Sequence, residues 1–133
     1  MKPQLIISNT AELVRLHSED ILSIEADGNY SNLYIVGEEE RMVLGQLGQL
    51  ERMIGEQLGE QASAFIRVGR SLIINRNYIY YINPSRQVLI MRDPNGRKHE
   101  IKKASHESLK NLKEFIEREE LNKVEQWTKN YLI

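Results

Sequence analysis

Phe65-Ile66-Arg67-Val68-Gly69-Arg70-Ser71-Leu72-Ile73-Ile74-Asn75 decides how this chain folds. Leu72 to Ile74 is an apolar run rich in β-branched side chains, and it reads as a buried strand. A buried strand pins the residues just before it. Arg67 and Arg70, three apart around a glycine and followed at once by Ser71, would therefore stand on a firmly anchored rim. Fixed guanidinium groups suit planar acceptors, such as phosphate oxygens or the O6/N7 edge of guanine. The plainer reading of both arginines is an ordinary salt bridge at the surface or inside the fold.

Working outward, short strands dominate the first hundred residues. Leu5-Ile6-Ile7 and Leu13-Val14-Arg15-Leu16 flank the turn-like Ser8-Asn9-Thr10-Ala11 and read as a hairpin. Ile21 to Ala26 follows, then Asp27-Gly28-Asn29, a strong turn signal. Tyr30 to Val36 alternates back to a solvated tip at Gly37 to Glu40, and Arg41 to Leu44 returns as a fifth strand. Leu47, Leu50, Ile54 and Leu58 then recur at helical spacing, which predicts one short amphipathic helix laid on a sheet, with Gly59 placed to close it. Tyr78 to Ile82, Val88 to Met91 and Lys98 to Lys103 are further strands, joined by the Pro- and Asn-bearing turns Asn83-Pro84-Ser85 and Asp93-Pro94-Asn95-Gly96. Ser105 is a suitable N-cap for a final helix whose apolar face is Leu109, Leu112, Phe115 and Ile116. A second stripe, Leu121, Val124, Thr128 and Tyr131, makes the tail one bent helix or two.

The 133 residues suit one domain with its own core. No cysteine is present, which excludes disulfides and cysteine-based metal sites. The apolar run after Met1 is far too short for a signal peptide or a membrane span, so a soluble cytoplasmic protein without membrane contact is expected. His17, His99 and His106 are scattered without metal-ligand spacing, with His17 expected at a strand end and His99 on an exposed strand face. Glu25 and Asp27 are badly placed for acid–base work beside a turn. Without a nucleophile–base pair, a phosphate loop or a metal cluster, neither enzymatic activity nor a cofactor is expected.

A formal net charge of −1 conceals strong segregation. Residues 1–66 carry four cationic side chains against eleven acids, a net of −7. Residues 67–103 carry nine against Asp93 and Glu100, a net of +7. Such asymmetry points to a polyanion facing one side of the molecule. The alternative is that the acidic half folds against the basic third and neutralises it.

Several features now stand in one order: Glu25-Ala26-Asp27-Gly28-Asn29-Tyr30 at a strand turn, a short spacing helix, Phe65 to Ser71 with Asn75 four residues on, Pro94-Asn95-Gly96, and a hydroxyl-led helix from Ser105. Together they resemble the LytTR family of bacterial DNA-binding domains over roughly residues 4–116. The resemblance implies a mainly β fold with minor α: an elongated stack of small antiparallel sheets, one short helix after the fifth strand and a C-terminal helix. It divides the chain into a DNA-binding domain over residues 1–116 and a C-terminal helical extension over residues 117–133. It implies a transcription regulator that binds duplex DNA at direct repeats through loops set in the major groove, and it admits a homodimer on the DNA.

Residue by residue, the resemblance assigns base contacts to Arg70, Ser31, His106 and Asn29, with Asn32 beside them. Backbone contacts fall to Arg67, Ser71, Arg97, Lys98, Lys102 and Lys103. Two departures bear on sequence preference. Gly69 stands where many members carry histidine, and His106 stands where members typically carry arginine. Tyr30, Tyr34, Tyr78, Tyr80 and Tyr81 are expected to fill the core of a thin β-stack rather than stack on bases. Asn75 is expected to bond the backbone of its own turn, and Trp127 is a packing anchor or part of a partner surface. LytTR domains are commonly joined to a receiver domain or membrane segments, which 133 residues cannot hold, so this is a piece of a longer protein or a stand-alone regulator. The competing reading is a protein-interaction module of the same fold, its basic face docked on an acidic partner.

Overall fold

The computed structural model describes residues 2–38 and 40–121. Strands β1 (Gln4–Ser8) and β2 (Leu13–His17) form an antiparallel hairpin. Strands β3 (Ile21–Asp27), β4 (Tyr30–Ile35) and β5 (Arg41–Leu44) meander, and helix α1 (Leu47–Gln57) follows. Strands β6 (Phe65–Val68) and β7 (Leu72–Asn75) pair back in the order β5-β4-β3-β7-β6, giving a five-stranded sheet. Strands β8 (Ile79–Asn83), β9 (Val88–Arg92) and β10 (Lys98–Ile101) form a third, three-stranded sheet. Helix α2 (His106–Ile116) follows and continues as a π-helical turn over Glu117–Leu121.

The five-stranded sheet is covered on both faces, which is why Leu72 to Ile74 of its inner strand β7 is apolar throughout. In β7, Ile73 enters a core shared with Leu5, Ile24, Leu33, Leu50 and Leu58. Its neighbours Leu72 and Ile74 enter the opposite core, with Leu89, Met91, Ile101, Leu109 and Leu112. The period-two pleat sends adjacent side chains of one strand to different cores. All three are at most 1 % exposed, and full burial of such a side chain stabilises by about 1.5–3 kcal/mol.

The β-rich stack of small antiparallel sheets stands as the sequence indicates, with α1 after the fifth strand and α2 near the C-terminus. Phe65–Val68, however, is a strand in its own right, so Arg67 lies in a hairpin arm rather than in a loop. The tyrosines divide: Tyr34 and Tyr78 pack against the second core, whereas Tyr30, Tyr80 and Tyr81 are exposed. Of the stripe read in the tail, Leu121 is exposed, and Val124, Thr128 and Tyr131, like Trp127, lie outside the described residues.

A polar node ties the two larger sheets together. His99 on β10 is half-buried rather than exposed, its ring stacked on Tyr34 of β4 with centroids 4.0 Å apart. Its Nε2 lies 3.8 Å from the buried carboxylate of Glu25 on β3. Burial pushes Glu25 up, but the neighbouring His99 and Tyr34 side chains and the charge of Lys103 outweigh it and hold the carboxyl below its ordinary value of 4.5. Burial, with the neighbouring carboxylates of Glu25 and Glu40, pushes the Tyr34 hydroxyl up. A carboxyl whose pKa is depressed on folding adds stability above its unfolded value and loses it as pH falls through the folded one. Glu25→Gln should therefore flatten the part of the stability curve below pH 4.5. Urea midpoints compared at neutral and acid pH check this, and an unchanged acid limb would refute it.

Candidate nucleic-acid interface

Four local contacts bring separate turns to one end of the stack. The amide of Ala26, near the β3–β4 turn, donates to the Ser71 carbonyl at 2.8 Å. The Lys103 ammonium donates to the Ala26 carbonyl at 2.8 Å, tying the segment after β10 to the same place. A Cβ built on Gly69 would lie 3.0 Å from Ser108 Oγ, so the β6–β7 turn abuts the first turn of α2. His106 Nδ1 lies 2.9 Å from the Pro84 carbonyl, which adds the β8–β9 turn. Three hairpin turns, the lysine segment and a helix start therefore share one edge.

Gly69 makes the tightest of these approaches and adopts φ +63°, a left-handed conformation that side chains other than glycine rarely take. Its lack of a Cβ leaves room for the Ser108 hydroxyl of α2, so the histidine that the family resemblance sets at this position would displace that hydroxyl and strain the backbone. Ser105 caps α2, its hydroxyl accepting from the Ser108 amide at 3.1 Å, as the sequence indicates.

Arg70 is exposed at the tip of this edge and makes no ion pair among the described residues. Asn29 is exposed on the β3–β4 turn, its carbonyl accepting from the Gly45 amide at 2.9 Å. Lys102 is exposed and unpaired among the described residues, and Ser71 is half-buried. A carbonyl can only accept, so His106 carries its proton on Nδ1, and in the neutral ring Nε2 is an acceptor.

One expectation needs correction. Ser31 is fully buried, and its hydroxyl donates to the Gly45 carbonyl at 2.8 Å. It faces the core side of β4 and secures the turn before α1, so no base edge can reach it in this conformation. Arg67 is engaged within the fold. Its Nε donates to the Gly69 carbonyl at 3.1 Å, one Nη to the Arg70 carbonyl at 3.1 Å, and the other to Glu51 at 3.0 Å. It clamps the turn that presents Arg70.

The basic third of the sequence is not one patch. Arg97 Nη1 reaches toward the Glu38 carbonyl at 3.5 Å, beside the β4–β5 turn, at the far end of β4 from Tyr30. Lys98 stands next to it and pairs across the sheet with Arg92. Both are thus remote from Arg70, Lys102 and Lys103. Arg76, also in this block, lies 3.6 Å from Glu120 and 5.3 Å over the Phe115 ring, so it anchors the far end of α2. The acidic half does neutralise part of the block, through Glu51 on Arg67.

Arg86 joins the edge without having been singled out beyond its charge. It is exposed on the β8–β9 turn, its amide accepted by Asn83 Oδ1 at 3.2 Å, beside Gln87 at φ 53°. The Asn-Pro-Ser turn signals a hairpin, but the docking of α2 on Pro84 is what carries that hairpin to the shared edge.

Residues 11–117 match the family model of the LytTr DNA-binding domain. Among solved structures, one match is the LytTr DNA-binding domain of a protein described as a methyl-accepting/DNA response regulator from Bacillus cereus. It is 18 % identical, with a TM-score of 0.58, and the alignment covers 87 % of this chain and 98 % of that one. No curated protein gives a significant match. Among the described residues no helix is long and apolar enough to cross a membrane.

Proposed function

This chain belongs to the LytTr DNA-binding domain family, and from that premise we propose that it regulates transcription by reading duplex DNA sequence-specifically with loops laid in the major groove. The observation that carries the reading is the shared edge, where exposed Arg70, Arg86 and Lys102 have no carboxylate partner among the described residues. Arg70 reads a base, its donor fork matching guanine O6 and N7. Asn29 and His106 make the more permissive base contacts. Lys102, Lys103, Arg86 and Ser71 hold the phosphate backbone, which sets register and affinity but carries no sequence information. The turns are fixed by main-chain contacts, so the protein offers its polar groups at set heights and binds without first ordering a loop.

Selection from randomised duplex DNA, followed by binding of the recovered sequence across a salt series, tests the proposal. Enrichment of one motif and affinity falling steeply with salt are expected. Recovery of no motif, or binding insensitive to salt, would sink it. Tandem motifs in one orientation are the expected form, since direct repeats with two copies of the chain follow from the same reading.

Lys102→Ala combined with Lys103→Ala should weaken cognate and random DNA alike. The log–log salt slope should lose about 1.8, two counter-ion releases of about 0.9 each. A change in the ratio of cognate to random affinity would reassign these lysines to base contact.

A further inference from the structure

The outer face of the three-stranded sheet carries a feature that the edge does not use. Tyr80, 46 % exposed, has the Arg92 guanidinium 4.2 Å and the Lys98 ammonium 4.7 Å from its ring centroid. The two cations therefore stand within about 9 Å of each other on one platform. Neither makes an ion pair among the described residues. Lys98 and Arg92 are register partners across β10 and β9, so the strands fix the spacing of their backbones. Packing on a ring restrains two flexible side chains but leaves their N–H groups available, so the cations are pre-organised for an anion.

The position of this platform indicates which anion. Strand β9 runs from Val88, beside the turn that bears Arg86, to Arg92. Four residues at about 3.4 Å each set Arg92 about 14 Å from that turn. Arg86 at the edge and the Arg92–Lys98 pair therefore mark two separate cationic points, one at each end of β9. Glu100 stands between, its backbone in register with Ile90, and Asp93 lies beside both cations, but neither acid makes an ion pair with Arg92 or Lys98 among the described residues.

We propose that Tyr80, Arg92 and Lys98 form a second phosphate-binding site, which takes the backbone of DNA flanking the recognition sequence. The site rests on the DNA-binding reading above and extends it. A straight duplex on the edge passes below the platform, whereas a flank deflected toward the small sheet reaches it. Contacts made there repay part of the cost of that deflection. Because the platform belongs to the three-stranded sheet, on one side of the edge, the protein holds one flank and not the other.

The test uses the full chain and the duplex recovered by selection, in three forms: the motif alone, or the motif extended by about ten base pairs, one helical turn, on either side. The wild type should bind the duplex extended on one particular side about tenfold more tightly than the motif alone, with a salt slope steeper by about 1.8. Arg92→Ala with Lys98→Ala should erase that gain and leave affinity for the motif alone within about twofold. Tyr80→Ala should reduce the gain, and Tyr80→Phe should keep it, because the ring and not the hydroxyl holds the cations. Equal affinity for all three duplexes, or a length advantage that survives the double substitution, would overturn the proposal. Failure of selection to return any motif would instead strike the reading beneath it.

Discussion

Arg70→Ala should lower the preference for cognate over random duplex by about 5- to 150-fold, the equivalent of losing one bidentate guanine contact worth about 1–3 kcal/mol. The size of the effect follows from how the residue is held. Three donors of Arg67 fix the carbonyls of Gly69 and Arg70 and bind Glu51, while the Ala26 amide holds the Ser71 carbonyl. The backbone of the tip is thus anchored on both sides, and the Arg70 side chain is the only long group it projects. Non-specific affinity should fall less than specific affinity, because one of several cations is lost there. Competition binding against the selected duplex and a scrambled duplex measures the ratio. An unchanged ratio would mean that Arg70 contacts phosphate, and the base-reading role would pass to Asn29 or His106.

Asn75→Ala should destabilise the fold by about 2–4 kcal/mol, a large part of the stability of a domain this size. Asn75 is 1 % exposed. Its Oδ1 accepts from the Asn77 amide at 3.0 Å, which is the local turn bond that the sequence suggests. Its Nδ2 also donates to the carbonyls of Ser18 at 3.2 Å and Ile21 at 3.0 Å, more than fifty residues away. Alanine would leave two carbonyls at the start of β3 without their partner, in a setting where the Ile21 carbonyl bond is buried. Chemical denaturation gives the number, and a loss below about 1 kcal/mol would show that water or local rearrangement replaces those bonds. Asn75→Asp keeps the Asn77 bond and removes the donors, so it should retain most of the defect.

The strands were legible because their signals are local. Leu72 to Ile74 is apolar throughout since both faces of β7 are covered, and Ile21 to Glu25 is buried for the same reason in β3. Asp27-Gly28-Asn29 and Asp93 to Gly96 mark real hairpins, and Ser105 caps a real helix. The reading failed where a residue's role depends on a distant partner. Arg67 and Arg70 look alike in sequence and both are exposed, yet Glu51 and two carbonyls engage Arg67, whereas Arg70 makes no ion pair among the described residues. Ser31 sits near a turn, but the strand period turns it inward onto Gly45. Tyr80 has the composition of a core residue and stands outside, because the small sheet has a single covered face.

The order and type of most elements, the apolar run of β7, the turn chemistry and the family resemblance were settled by the chain's own residue pattern, because periodicity and conformational preference act over a few neighbours. Which cations share a face was decided by packing between elements far apart in sequence. The run from Arg67 to Lys103 is strongly net positive along the chain, but folding sends its cations to opposite ends of the stack. Electrostatic attraction depends on distance in space, and that distance is set by strand direction and by the seating of α2 on Gly69 and Pro84.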